Sequence, residues 1–246
     1  LIAFSPQIGE RLVQMGAPSM RVAQLPNGID SAEFAPVNEA AKIALRQRLG
    51  LPRDKIVFIY TGRISSEKGV PRLMELWRRL TDIRSDVYLI LLGSGDNSYD
   101  GCESEVRRFI ETHALSNSVA APGVVINVSE YLQASDLFIF LSVRENFSLS
   151  ILEALCVGLP SILTRVGGAP MGPQEGGWGE LVDIDAPVEL ILHRVLRLIA
   201  DRAHWPQMAV TAHRIVAEKY TIEAVRDQYL TLFDGFYGLP RGTGPR

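Results

Sequence analysis

Short continuous apolar runs alternate with longer amphipathic stretches over most of this 246-residue chain. The runs Ile56–Tyr60, Val87–Leu92, Val119–Ala121, Leu137–Leu141 and Ser161–Leu163 predict strands. They are apolar at successive positions rather than at every second one, as in strands covered by helices on both faces. Between and after them, Pro71–Thr81, Glu103–His113, Ser129–Ser135 and Ser148–Val157 predict helices. Alternation on this scale predicts right-handed crossovers and an α/β fold with a doubly wound, mostly parallel sheet.

The flanks read differently. Ser5-Pro6 followed by Ile8, Leu12, Val13 and Gly16 predicts a capped helix with Pro at its start and Gly past its end. Met20–Leu25 predicts a short strand entering the turn Pro26-Asn27-Gly28, and Ala40–Leu49 a helix stopped by Gly50. From Pro187 the pattern is all helical, with breaks at Trp205-Pro206 and Tyr220-Thr221. The tail Arg241–Arg246 is expected to be disordered.

Composition excludes more than it selects. Hydrophobic residues at 47% and charged residues at 22% are ordinary for a globular protein. A formal net charge of −3 argues against a nucleic-acid partner. No apolar run approaches the ~18 residues that span a bilayer, and Leu1–Pro6 is not a signal peptide. The expected location is cytoplasmic, with a membrane-peripheral position open to a longer enzyme. The chain has no initiator Met and reads as a piece of something longer. Cys102 and Cys156 are expected to be free thiols in a reducing compartment. His113, His193, His204 and His213 lack metal-ligand spacing, so no metal site is expected. No Gly-x-Ser-x-Gly elbow marks a serine hydrolase. Arg72, Arg78, Arg79 and Arg84 crowd one helix and its exit, a solvated face rather than a membrane patch.

In a doubly wound parallel sheet, ligands bind beyond the carboxyl ends of the strands. The loops Thr61–Gly69, Gly93–Asn97, Pro122–Asn127, Ser142–Phe147 and Thr164–Trp178 are therefore expected to converge on one cleft. In the first, Gly62 admits a close backbone approach, while Arg63 and Lys68 suit phosphate oxygens. A solvated loop is the competing reading, and the glycine spacing is not that of a Walker loop. Gly93-Ser94-Gly95 is a turn; position 98 is Ser, and no dinucleotide cofactor is expected.

Glu145 and Glu153 stand eight positions apart across a strand-to-helix junction. Buried carboxylates need partners, and sugar hydroxyls would serve. As bare spacing the two also suggest an acid and base pair. Ser148 is expected to cap the following helix, leaving the amides of Phe147, Ser148 and Leu149 near its positive end, where a phosphate is favoured. Leu149, Leu152 and Leu155 should form the buried stripe, with Glu153 beside it. The alternative for Glu153 is a pairing with a nearby Arg, or the capping of a loop.

Several segments occur together in a telling order: Pro26-Asn-Gly-Ile-Asp30 with Phe34 and Pro36; Gly62-Arg63 with Glu67-Lys68-Gly69; Leu92-Gly-Ser-Gly95; Ala134-Ser-Asp136; Glu145-x7-Glu153 with Ala154-Leu-Cys-Val-Gly-Leu-Pro160; and Val166-Gly-Gly168. Over about residues 1–185 the chain resembles the donor-binding half of retaining GT-B glycosyltransferases, specifically glycosyltransferase family 4. The resemblance implies one Rossmann-like half of a GT-B fold with C-terminal helices. It implies a catalytic set of Glu145, Arg63 and Lys68, with Arg63 and Lys68 on the donor diphosphate beside Gly62. Glu145 would contact the donor sugar and Glu153 the ribose. The backbone of Asn146, Phe147, Ser148 and Leu149 would lie along sugar and phosphate. The base would sit at the loop Gly123–Asn127, near Val125. Such enzymes need no metal and no cofactor beyond the nucleotide-sugar donor.

Two departures bear on the donor. Asn146-Phe147-Ser148 stands where the family has Gly-Phe-Gly, which narrows the sugar pocket or adds hydrogen bonds to it. The stretch Ala169–Trp178 differs from the family's short Pro-Glu loop, with Glu175 as a candidate equivalent. The implied organisation is a segment, 1–20, leaving an N-terminal acceptor half; a donor domain, 20–220; a crossing helix, 221–238; and a tail, 239–246. On that helix Val225, Tyr229, Leu232, Phe233 and Phe236 would form an apolar patch, open to homodimer formation. The implied activity is hexosyl transfer to an acceptor glycan, lipid or small molecule, with this piece inactive alone. A non-catalytic sugar-nucleotide-binding or regulatory subunit, or a GT-B epimerase or phosphorylase, are the alternatives.

Overall fold

The structure, a computed structural model, describes residues 1–95, 98–166 and 177–237, with Phe236 and Tyr237 described by backbone alone. At the N-terminus β1 (Ile2–Ala3) and β2 (Ala23–Gln24) pair in parallel, joined through α1 (Pro6–Gln14). Ser5 caps α1 by accepting a hydrogen bond from the Ile8 amide. The strand expected over Met20–Leu25 is shorter, because Ser19–Arg21 winds into one 3₁₀ turn. α2 (Glu39–Arg48) then leads into the main sheet.

That sheet is built from β3 (Ile56–Thr61), β4 (Val87–Leu92), β5 (Val119–Gly123), β6 (Leu137–Phe140), β7 (Ser161–Thr164) and β8 (Gly179–Val182). Every neighbouring pair is parallel, in the order β5-β4-β3-β6-β7-β8. The crossovers contain α3 (Val70–Ile83), α4 (Glu103–Thr112), α5 (Val128–Ala134) and α6 (Leu149–Val157). α7 (Val188–Ala200), α8 (Trp205–Lys219) and α9 (Ile222–Tyr237) close the chain, with the expected breaks between them. The doubly wound parallel sheet is as the apolar pattern predicts. Apart from β2, the predicted elements differ at their ends by no more than two residues.

β8 had no apolar signature. It is a four-residue edge strand with only Val182 buried, so its pairing with β7 defines it rather than its hydrophobicity. α6 departs from the expected stripe. Leu152 and Leu155 are fully buried, but Leu149 is 44% exposed because it is the first helical residue, at the sheet edge. Beyond that turn α6 is buried on nearly every side. Both cysteines are free and buried, and burial pushes each thiol up to about 11.

The crowded arginines are paired rather than free. Arg78 and Arg79 both bind Glu75, Arg79 reaches Glu189 on α7, and Arg84 binds Asp86. Arg72 donates to the carbonyls of Ile184 and Ala186. On α9, Val225 is buried, Tyr229 and Leu232 are half-buried and Phe233 is exposed, while the Phe236 side chain lies outside the described residues. The tail Arg241–Arg246 also lies outside them.

β3 and β6 are the two central strands, and the chain order reverses between them. Their pairing starts at Asp136, whose amide donates to the Val57 carbonyl (2.8 Å) and whose carboxylate accepts from the Val57 amide (2.8 Å). The same carboxylate binds Lys42 and Arg46 of α2, each at 2.6 Å. Arg46 also donates to the Ala134 carbonyl (2.8 Å), so one buried cation ties α2 to the end of α5. Burial would push the Asp136 carboxyl up, but the charges of Lys42 and Arg46 outweigh it and hold it below the usual range.

Removing one partner from such a buried pair costs about 3–5 kcal/mol, because the other charge is stranded. Asp136→Ala should lose stability in that range by chemical denaturation. Lys42→Ala, which leaves Arg46 in place, should lose less, and an equal loss would contradict this account. A depressed carboxyl stabilises fully above its unfolded pKa and loses that contribution only in acid, as the folded group protonates. The Asp136 contribution should therefore be complete at neutral pH.

Candidate functional site

At the carboxyl end of the sheet the reversal between β3 and β6 opens a crevice, and backbone close approach fixes its floor. Gly93 has φ +132°, and a Cβ there would meet the Gly62 carbonyl oxygen at 1.9 Å, so only glycine allows β3 and β4 to end side by side. At Gly69, with φ +72°, a Cβ would meet the Leu141 carbonyl oxygen at 2.0 Å. The loop after β3 is thereby seated against the end of β6. Hydrogen bonds fasten it there: the Glu67 carbonyl accepts from the Val143 amide (2.9 Å) and from Ser142 Oγ (3.1 Å).

This seating brings distant charges together. Lys68 Nζ lies 2.5 Å from Glu145 Oε1, with only 6% of the Glu145 side chain exposed. Arg63 spans two carboxylates: Nη1 is 3.2 Å from Asp100 Oδ1 and Nη2 is 3.3 Å from Glu67 Oε2. Asp100 also accepts from the Glu67 amide (3.2 Å), so it holds both the turn and the guanidinium. Burial opposes its charge, yet hydrogen bonds from the Glu67 amide and the Ser65 and Ser98 side chains keep its carboxyl below the ordinary range. Arg144 Nε stands 3.9 Å from the other oxygen of Glu67. Beneath them, Tyr60 donates to the Arg63 carbonyl (2.6 Å), and burial, then the nearby Glu145 charge, pushes its hydroxyl well up.

Two adjacent cavities share Arg63. One, of about 280 Å³, is lined by Arg63, Glu67, Lys68, Arg144, Glu145, Asn146 and Phe147. The other, of about 330 Å³, is lined by Thr61, Gly62, Arg63, Val125, Ser150 and Glu153 among others. Ser148 caps α6 as expected, accepting from the Ile151 amide (3.4 Å). The first-turn amides of α6 have no intrahelical acceptor, and Ser150 of that turn lines the larger of the two cavities.

Glu153 has neither of its expected structural partners: no hydrogen bond or ion pair to it occurs among the described residues. Burial, with repulsion from Glu33, pushes its carboxyl up to about 7. Val125 lies between the exposed Val124 and Ile126, at the rim of the larger cavity. Gly93-Ser94-Gly95 is a turn fastened by Glu103, which accepts from Ser94 Oγ (2.8 Å) and the Gly95 amide (3.0 Å). Asn97, Gly167, Gly168 and Glu175 lie outside the described residues. Among the described residues no group of three or more His, Cys, Asp and Glu could hold a metal, and no helix is long and apolar enough to cross a membrane.

Gly62, Arg63, Lys68, Val125, Glu145, Asn146, Phe147 and Glu153 line these two adjoining cavities, whereas Ser148 and Leu149 line neither. Asp100, Thr61 and Arg144 were missed. Asp100 is 37 positions from Arg63 in an irregular loop, and nothing in the sequence pairs the two.

The chain is 27% identical over 190 residues to N-acetyl-alpha-D-glucosaminyl L-malate synthase of Bacillus anthracis, covering 77% of this chain and 48% of that protein. It superposes on Anabaena HepE in complex with UDP with a TM-score of 0.83, at 23% identity, covering 95% of this chain and 63% of that one. The C-terminal domain of a glycosyl transferase group 1 protein (LpcC) from Francisella tularensis aligns over its whole length and 79% of this chain, with TM-score 0.68 and 22% identity. The chain spans about half the length of the curated relatives it matches. The fold is therefore the Rossmann-like α/β fold of GT-B glycosyltransferases. The family model for glycosyl transferases group 1 matches residues 41–215, well over half of the sequence, and the chain belongs to that family.

Proposed function

We propose that this chain is the C-terminal, donor-binding half of a retaining family 4 glycosyltransferase. The whole enzyme transfers a hexosyl group from a nucleotide-diphosphate sugar to an acceptor hydroxyl. The observation that carries this reading is the place of Arg63 at the junction of two cavities, with Glu153 in one and the Lys68–Glu145 pair in the other. A nucleotide-diphosphate sugar has the same order of chemistry: ribose hydroxyls, an anionic bridge, sugar hydroxyls.

In this reading Arg63 and Lys68 hold the diphosphate, Glu145 the sugar and Glu153 the ribose. The base lies at the loop around Val125, and the backbone of Asn146, Phe147, Ser148 and Leu149 runs along sugar and phosphate. As the bond from anomeric carbon to phosphate oxygen breaks, negative charge grows on the departing diphosphate. Arg63, Lys68 and the first turn of α6 stabilise it without a metal. The acceptor is held by the enzyme's other half, so this chain alone binds donor and does not transfer.

Calorimetry with UDP, GDP and ADP tests the assignment. Arg63→Ala and Lys68→Ala should each weaken the best ligand about 10-fold or more, the worth of a charge-assisted hydrogen bond, and leave the bare nucleoside nearly unaffected. EDTA should change nothing; weaker binding in EDTA would remove the metal-independent reading. Asp100→Asn should weaken diphosphate binding several-fold in the parent and not in the Arg63→Ala background. Equal losses in both would show that Asp100 acts elsewhere.

Glu153 makes a pH prediction. Its folded pKa of about 7 lies above the ~4.3 of a free glutamate, so the folded state holds the proton more tightly. Stability should fall as pH rises from about 4.5 to about 7, by roughly 3 kcal/mol. Glu153→Gln should remove that slope and be the more stable protein at pH 8. Nucleotide affinity of the parent should rise through pH 7 as the carboxylate forms, and that of the Gln variant should not.

A further inference from the structure

The two cavities differ in the state of their polar groups. Where Lys68 and Glu145 meet, every charged side chain of the lining has a partner. In the other cavity the half-buried Ser150 makes no hydrogen bond among the described residues, and two more polar side chains, one on β3 and one on α6, have no partner either. One is Glu153 on α6. The second is Thr61, whose Oγ1 is the only buried side-chain nitrogen or oxygen among the described residues without a hydrogen-bond partner. Thr61 is the last residue of β3, 4% exposed, and lines the same cavity as Glu153.

An unpaired buried hydroxyl is costly, and native proteins keep few of them. Valine at this position would fill nearly the same space, suit the strand equally well and leave no polar atom unsatisfied. The hydroxyl therefore brings the fold a cost and no bond. A Thr hydroxyl is both donor and acceptor, whereas a carboxylate only accepts. The two together match a sugar diol: the carboxylate accepts hydrogen bonds from its O–H groups, and the threonine hydroxyl donates one to an oxygen of the diol. Rotation about χ1 moves the Thr61 hydroxyl between staggered positions, and no protein hydrogen bond has to break for it to turn toward a ligand.

We propose that Thr61 is a specificity-determining residue of this cavity, its hydroxyl bonding the same ligand diol that Glu153 holds. The inference rests on the nucleotide-sugar reading of the site, in which that diol belongs to the ribose. Thr61 then helps the cavity to prefer ribonucleotides over their deoxy counterparts.

The test is calorimetry on the parent with UDP, GDP and ADP, then on Thr61→Val and Thr61→Ser with the tightest ligand and its 2′- and 3′-deoxy forms. Thr61→Val should bind the ribonucleotide about 3- to 10-fold more weakly, the worth of one hydrogen bond. It should narrow the preference over at least one deoxy form, with a melting temperature no lower than the parent's. Thr61→Ser, which keeps the hydroxyl, should bind within about twofold of the parent, as the same hydrogen bond survives. Unchanged affinity in Thr61→Val, or an equal loss for ribo- and deoxynucleotides, overturns the assignment. So does a lower melting temperature for Thr61→Val, since the hydroxyl would then be bonded within the fold. If the parent binds no nucleoside diphosphate, the proposed function falls and takes this assignment with it. If the parent binds and only the Thr61 outcomes fail, the proposed function stands.

Discussion

The pairing of β3 with β6 is the constraint on which the rest of the molecule depends, and one buried carboxylate anchors it. Asp136 begins β6 by joining Val57 through both its amide and its side chain. Without that anchor the two central strands would meet only through Phe58–Leu137 and Ile59–Phe138. Two register positions are few for the strands that carry both halves of the site. Lys42 and Arg46 make the buried charge tolerable and bring α2 into the same joint. Register fixed at the amino ends of β3 and β6 is inherited at their carboxyl ends, where Thr61 and Leu141 release the two functional loops.

From that point the site is assembled by backbone rather than by side-chain chemistry. Gly69 lets the β3 loop lie on the Leu141 carbonyl, and the Glu67 carbonyl takes two hydrogen bonds from the β6 loop. Lys68 and Glu145 are 77 residues apart, and they meet because the segments preceding each are already joined. The same joint brings Arg144 toward Glu67. A close ion pair between buried groups is tolerable only with good geometry, and the backbone contacts supply that geometry before the charges interact.

How much of this could be read from the residues depended on range. Strands such as Ile56–Tyr60 and Leu137–Leu141 announced themselves because a fully covered strand is apolar at each position. The Ser148 cap was legible because capping acts over three residues. β8 was not legible, since an edge strand with one buried side chain has no pattern to detect. Leu149 was misplaced because helical spacing says which residues share a face and nothing about where the helix emerges from the core. Asp100 and Arg144 were silent for a different reason. Their meaning lies in contacts across loops whose course no local propensity encodes. Thr61 read only as the start of the loop after Ile56–Tyr60, and a count of hydrogen-bond partners among the described residues is what distinguishes it.

The paired charges of the Arg63 cavity also limit how it can attract a ligand. Arg63, Lys68 and Arg144 face Glu67, Glu145 and Asp100, so the cluster is close to neutral at its own scale. The chain as a whole carries −3. Long-range attraction of an anion is therefore weak, and at physiological salt it is screened beyond about 8 Å. Recognition of an anionic ligand must come from oriented donors at contact distance. Arg63 is suited to that: Asp100 and Glu67 engage its two terminal nitrogens from the loop side, while a guanidinium has five N–H groups and keeps others for the cavity. The carboxylates reduce the pull of Arg63 and in exchange fix the direction of its fork. A site built this way selects by geometry more than by charge, which suits a ligand whose anionic bridge must lie between two hydroxyl-bearing ends.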